Sequence, residues 1–266
     1  SPTRPDVNLL TLLTDFGAAD YYVAAVKGTV LRLAPGTALV DVSHEVPPGD
    51  VETASFLLRA AAPSFPEGTV HLAVVDPGVG SGRRILAVRA DSGIFVAPDN
   101  GLLDPFLDGA EVRSVEREDL FLQGPGQTFH GRDRFAPTAA WLLRGEGLAR
   151  LGPVIPDPVR LPSSPPRREP GRISGRVIHV DRYGNLVTDI PAGWLPPGPC
   201  RAEVGGTTEG SSTSRRAGHY AEIPPGEAAM IPGSLGTVEL SLNGEDLARA
   251  WKAARGAAVE ITWNES

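Results

Sequence analysis

At 266 residues, with 41% hydrophobic and 21% charged residues, the chain has the composition of a globular protein rather than a disordered one, and its length suits one large domain or two smaller ones. The net charge is −7, from 25 basic against 32 acidic residues, and no basic stripe stands out, which disfavours nucleic acid and membrane surfaces as partners. Cys200 is the only cysteine, so an internal disulfide framework and a multi-cysteine zinc site are excluded, and a cytoplasmic location fits.

No apolar run approaches the ~20 residues of a membrane-spanning helix, and residues 1–7, SPTRPDV, read as a loose polar lead rather than a signal peptide. Residues 8–14, NLLTLLT, predict a buried strand that hands over to Asp15, Phe16 and Gly17. Asp20 is the expected N-cap of a helix over 21–33, closed near Gly36. A strand over 37–42 leads to Ser43, His44 and Glu45, and residues 51–62 have helical spacing, with Ala54, Leu57, Leu58 and Ala61 on one side.

The run Leu72, Ala73, Val74, Val75 predicts a strand covered on both faces. Its carboxyl end carries Asp76, and ligands bind at such ends in open α/β sheets. Pro77, Gly78 and Gly80 force a turn, from which Arg83 can fold back toward the carboxylate. Taken alone, this stretch favours a solvated strand corner over a site. Strands over 85–89 and 94–97 follow, the second ending in Pro98, Asp99, Asn100 and Gly101. The alternation of strands and helices predicts a parallel sheet with helices on its faces. Residues 129–135, FHGRDRF, place a dense charged cluster at the mouth of an alanine-rich helix over 136–143, whose N-terminus is partially positive.

Residues 153–172 are proline-rich and read as a linker between an N-terminal domain, 1–152, and a C-terminal domain, 173–266. Short strand-like pieces at 177–180, 186–190, 202–204, 230–231, 237–242 and 259–263, with one helix over 245–254, predict a small barrel or sandwich. Residues 205–214, GGTTEGSSTS, are expected to form an exposed, mobile loop.

Of the histidines, His44, His71, His130, His179 and His219, no pair has the HExxH spacing of a helical zinc motif. His71 and His179 sit in strand-like runs and read as structural; His44 follows a strand end and fits either role. His130, among Arg132, Asp133 and Arg134, is the strongest candidate, although an ion-pair network would give the same cluster. The turn over 78–82, GVGSG, matches neither phosphate-binding pattern, because arginines and a strand follow it, and no G-x-S-x-G elbow is present.

Six motifs in this order, TLLTDFG (11–17), DVSHEV (41–46), VVDPGVGSGRR (74–84), APDNGLL (97–103), FHGRDRFAP (129–137) and VDRYGNLVT (180–188), span nearly the whole chain. With them the chain resembles the S-adenosylmethionine (SAM) hydroxide adenosyltransferases, or SAM hydrolases, of the fluorinase and chlorinase superfamily. The resemblance implies an α/β fold, an N-terminal sheet with flanking helices plus a smaller C-terminal β-barrel-like domain. It also implies a homotrimer, with ligand held between the N-terminal domain of one subunit and the C-terminal domain of its neighbour. The implied reaction is attack of water or hydroxide on C5′ of SAM, giving adenosine and L-methionine, with neither metal nor further cofactor.

By motif, Asp76, Arg83 and His130 match the catalytic set, and Asp15 the aspartate that takes the ribose hydroxyls. Tyr183 and Asn185 match the adenine pocket. Asp181 resembles the acid that pairs with the methionine ammonium, in a DRYGN motif one residue shorter than that of the halogenases, and Ser234 in PGSLG is the candidate for the methionine carboxylate. Two alternatives share the pocket. Halogenases lack the Asp, Arg and His set, and fluorinases carry serine where Gly131 stands here; a non-catalytic SAM or adenosine sensor leaves that set unexplained.

Overall fold

The computed structural model describes residues 8–123, 128–206 and 211–264. The polar lead and part of the loop expected over 205–214 lie outside the described residues. Internal packing divides the chain into two compact units between Pro162 and Ser163, a point inside the proline-rich stretch.

The first unit is built on strands β1 (Leu9–Thr14), β2 (Ala38–Ser43), β3 (Val70–Val74), β4 (Ile85–Ala90), β5 (Gly93–Pro98) and β6 (Glu111–Ser114), in the order β2-β1-β3-β5-β4-β6. Pairings β1–β2, β1–β3 and β3–β5 are parallel, whereas β4 runs antiparallel to both β5 and β6. The sheet is therefore mixed, not wholly parallel as expected. The cause is local: Ala90 pairs with Gly93 across the two-residue turn Asp91-Ser92, and a hairpin that short joins only antiparallel neighbours.

Helices α1 (Tyr22–Leu33), α2 (Val51–Ala61) and α3 (Ala136–Leu143) supply the cover. Alternate residues of each central strand face opposite layers, as the two-residue period requires. Leu10, Leu12, Leu72 and Val74 pack with Val26 and Val30 of α1 and Ala139 of α3. Leu13, Ala73 and Val75 pack with Ala54 and Leu58 of α2 and with Phe95. Every residue of β3 is buried, so the strand that leads to Asp76 is covered on both faces.

Two helix starts differ from expectation. Asp20 does not cap α1; Tyr21 occupies the cap position in helical geometry without a side-chain bond, and its ring packs on Tyr22 and Phe129. The charged cluster is not a loop ahead of α3 either. Residues Gly131–Phe135 form a π-helical turn continuous with it, a device that recurs at functional sites.

The second unit contains β7 (Arg167–Glu169), β8 (Arg172–Val180), β9 (Leu186–Pro191), β10 (Arg201–Val204), β11 (Ser212–Thr213), β12 (Ala228–Pro232), β13 (Thr237–Leu242) and β14 (Ala258–Thr262), with a short helix α4 (Leu247–Trp251). One antiparallel sheet runs β11-β10-β14-β8-β9-β13-β12, with β7 on β8. It curls into a barrel-like form: Thr213 Oγ1 donates to the Ala228 carbonyl at 2.6 Å, and Met230 N–H to the Arg215 carbonyl at 2.9 Å. Ser211 and Thr213 are buried, so this end of the expected mobile loop belongs to the barrel wall. The proline-rich stretch is also partly structured, since Ile155 N–H donates to Val112 at 3.1 Å and Arg167–Glu169 is a strand. Among the described residues no helix is long and apolar enough to cross a membrane.

Candidate active site

Strands β1, β3 and β5 are parallel neighbours, so their carboxyl ends lie along one edge of the sheet. That edge carries Asp15, Asp76 and Asn100. Asn100 Nδ2 donates to the carbonyl of Val75 at 2.9 Å, tying the end of β5 to the residue before Asp76. Gly49 donates its N–H to Asp15 Oδ2 at 2.8 Å, and a Cβ on Gly49 would stand 3.5 Å from Cβ of Pro77. The turns after β1 and β3 are therefore adjacent.

Arg83 folds back as its spacing suggested. Its Nε donates to Asp76 Oδ2 at 2.9 Å, its Nη2 donates to the same oxygen, and Nη2 also lies 3.0 Å from His130 Nδ1. The Asp76 and Arg83 side chains are 5% and 9% exposed, and His130 is buried, so little water competes for these bonds. The guanidinium stands over the Phe135 ring at 5.0 Å, a cation–π contact that holds its plane. Both Arg83 bonds to the carboxylate fall on Oδ2; the buried Oδ1 of Asp76 has no hydrogen-bond partner among the described residues. An acceptor left open beside a charged pair is costly in a purely structural bridge, and it suits a group that takes a ligand's proton.

His44 borders this edge. Its Nδ1 lies 2.8 Å from Thr14 Oγ1, and its Nε2 faces Asp41 Oδ1 at 3.1 Å, at ion-pair distance without hydrogen-bond geometry. Partial burial pushes the Asp41 carboxyl up, but attraction from Lys27 and His44 outweighs it and holds the group below its ordinary value. His71 is structural: fully buried, it is 2.7 Å from Thr11 Oγ1 and 3.3 Å from the Ser92 carbonyl, and burial lowers its pKa to about 4.

In the second unit Asp181, Tyr183 and Asn185 line one cleft of about 610 Å³ together with Tyr220 and residues 242–246. Asp181 organises the turn, with Oδ1 accepting from the N–H groups of Tyr183 and Asn185 at 2.8 and 2.9 Å and Oδ2 from Asn185 Nδ2 at 2.8 Å. Donation to Asp181 fixes which way the Asn185 amide faces. Tyr183 is 77% exposed, a large aromatic surface free to stack on a planar ligand. Tyr220, across the cleft, was not singled out from the sequence. Its hydroxyl donates to the buried Glu239 at 2.9 Å, and burial together with that carboxylate pushes its pKa up to about 12. Ser234 is exposed on the turn between β12 and β13 and does not line the cleft.

The class of protein so defined pairs an α/β unit, with an Asp-Arg-His cluster at its sheet edge, with a β-barrel-like unit carrying an aromatic and acidic cleft. The chain belongs to the SAM hydroxide adenosyltransferase family: residues 10–152 match its N-terminal domain and residues 175–260 its C-terminal domain. It is 38% identical to a protein of Salinispora tropica named (R)-S-adenosyl-L-methionine hydrolase, over 95% of this chain and 97% of that one. A Thermus thermophilus protein of the same name is 37% identical over 94% and 97%. A fluorinase of an Actinoplanes species is 30% identical over 68% of this chain and 71% of that one. The fold is similar to the crystal structure of an uncharacterized conserved protein from Thermotoga maritima, with a TM-score of 0.88 and 33% identity over 96% of this chain and all of that one.

Proposed function

We propose that this protein hydrolyses S-adenosyl-L-methionine to adenosine and L-methionine, with Asp76, Arg83 and His130 handling the water. The observation that carries the assignment of roles is the division of labour within Asp76: Arg83 occupies Oδ2, and Oδ1 is a buried acceptor without a partner among the described residues. In the reaction the water oxygen forms a bond to C5′ as the C5′–sulfur bond breaks. The bonding pair leaves on sulfur, which becomes the neutral thioether of methionine, and the water proton passes to Asp76 Oδ1. Because the leaving group is already a sulfonium, no acid is needed on its side. The task is alignment and removal of one proton.

Arg83 can only donate, so His130 Nδ1 is the acceptor and the neutral ring carries its proton on Nε2. That supports Asp76 as the base and His130 as the group that orients the water. Asp15 takes the ribose hydroxyls, Tyr183 and Asn185 the adenine, Asp181 the methionine ammonium and Ser234 its carboxylate. The site forms between neighbouring subunits of a cytoplasmic homotrimer and uses no added metal or cofactor.

Purified protein treated with a chelator and incubated with each sulfonium epimer of SAM tests this, with products followed by chromatography. Adenosine and methionine in equal amounts are expected, and the (R) configuration in the relatives' names makes that epimer the one to compare first. Formation of 5′-chloro-5′-deoxyadenosine in chloride, or no adenosine above the uncatalysed background, overturns the reading. Light scattering at the mass of three 28.0 kDa chains is the expected result for the assembly.

A further inference from the structure

The geometry points to His44 as a positioning residue that holds the Asp15 turn in shape for the ribose hydroxyls; this rests on the ribose role proposed for Asp15. His44 grips both flanks of that residue. On one side its Nδ1 is 2.8 Å from the hydroxyl of Thr14, which is completely buried and also accepts from Phe16 N–H at 3.3 Å. On the other, the carbonyl of His44 accepts from Gly17 N–H at 2.8 Å. Gly17 has a φ of 67°, a conformation that glycine adopts without strain. Asp15 thus sits in a four-residue turn, 14–17, whose two ends are tied to one histidine, while Gly49 N–H fixes Oδ2 of its carboxylate.

A carboxylate also stands behind the ring. Nε2 faces Asp41 Oδ1 at 3.1 Å, and Asp41 Oδ2 accepts from Lys27 Nζ at 2.6 Å. Asp41 lies on β2 and Lys27 on α1, so the ring faces a carboxylate held by two elements of the scaffold. Thr14 Oγ1 accepts from Phe16 N–H and, with a second lone pair and its own proton, can pair with Nδ1 of His44 in either ring tautomer. The exposed Lys27–Asp41 pair adds little stability by itself; it sets a carboxylate beside the ring at ion-pair distance, without a hydrogen bond to Nε2. Only 11% of the His44 side chain is exposed, so loss of the ring removes contacts that water replaces poorly.

Adenosine, which carries the ribose without the methionine, is the probe. Its dissociation constant is measured by calorimetry for the full chain and for Asp15→Asn, His44→Ala and the double variant. His44→Ala is expected to weaken adenosine binding about tenfold, the scale of one lost anchoring bond. In the Asp15→Asn background the same change is expected to cost less than about twofold, since a residue acting through Asp15 has nothing left to position. His44→Asn, whose side-chain oxygen can replace Nδ1 toward Thr14, is expected to restore part of the affinity. If the alanine variant does not fold, Thr14→Val removes the same contact and takes its place in the cycle. Wild-type affinity in His44→Ala, or an equal loss in both backgrounds, overturns the proposal. Wild-type affinity in Asp15→Asn alone instead overturns the ribose role of Asp15, and the positioning role falls with it.

Discussion

Arg83 Nη2 donates to His130 Nδ1 at 3.0 Å. Arg83 can only donate, so Nδ1 accepts and the neutral His130 ring carries its proton on Nε2. A cluster of Asp, Arg and His otherwise offers two candidate bases.

Asp76→Asn is therefore the sharpest variant of the set. Asparagine is nearly isosteric and its side-chain oxygen can still accept from Arg83, but the amide nitrogen that replaces the other oxygen cannot take a proton. General-base assistance contributes about 10²- to 10⁴-fold, and kcat is expected to fall by that order with KM changed little. Arg83→Lys is expected to lower kcat as well, because an ammonium cannot reproduce the guanidinium fork that spans Asp76 and His130. Steady-state kinetics on SAM checks both; a variant that raises KM alone points to substrate binding rather than water activation.

Gly131 gives a second test. A Cβ placed there would meet Phe16 Cζ at 3.2 Å and Phe129 Cε2 at 3.3 Å, so both rings must shift by a few tenths of an ångström. Glycine to alanine in a helical turn gains up to about 1 kcal/mol in propensity, and mild overpacking costs about 1–3 kcal/mol; the two nearly offset, because both rings are only partly buried. Phe16 follows Asp15 and Phe129 precedes His130, so the displacement reaches both. Gly131→Ala is expected to change urea-unfolding stability by no more than about 2 kcal/mol while lowering kcat/KM severalfold. Unchanged kcat/KM would mean the rings do not transmit the shift.

Much of the site edge was legible because apolar runs stop abruptly at acidic residues. The runs before Asp15, Asp76 and Asp99 needed no partner strand to be recognised, and the return of Arg83 follows from the glycine turn. What escaped depends on contacts between distant residues. The direction of β4 is set by a two-residue turn, which strand and helix alternation does not report. The π-helical turn at Gly131–Phe135 is masked by charges that conceal any apolar period. Tyr220 lies among turn residues with no pattern around it, and only the folded unit brings it to the cleft that Tyr183 lines. Asp20 failed as a cap because the aromatic packing of Tyr21 decides where α1 begins.

His71 makes the fold itself sensitive to acid, independently of the site. Its Nε2–H donates to the Ser92 carbonyl at 3.3 Å, so Nδ1 accepts from Thr11. Protonating Nδ1 would reverse that bond and place a charge between Phe95, stacked at 4.7 Å, and Phe65 at 5.8 Å. Burial accordingly lowers the pKa from 6.5 to about 4. The unfolded chain takes up this proton below pH 6.5, and the folded chain only below about 4. Stability from this residue is complete above 6.5 and is lost as pH falls from there through 4. The gap corresponds to about 3 kcal/mol at most. Urea unfolding at about pH 7.5, 5.5 and 4.5, spanning that window, is expected to show the decline. A Thr11→Val/His71→Phe variant, which removes both partners together and so leaves no unpaired hydroxyl, is expected to lose about 2 kcal/mol less than wild type across the same range. Parallel declines in the two proteins would assign the acid sensitivity to other groups.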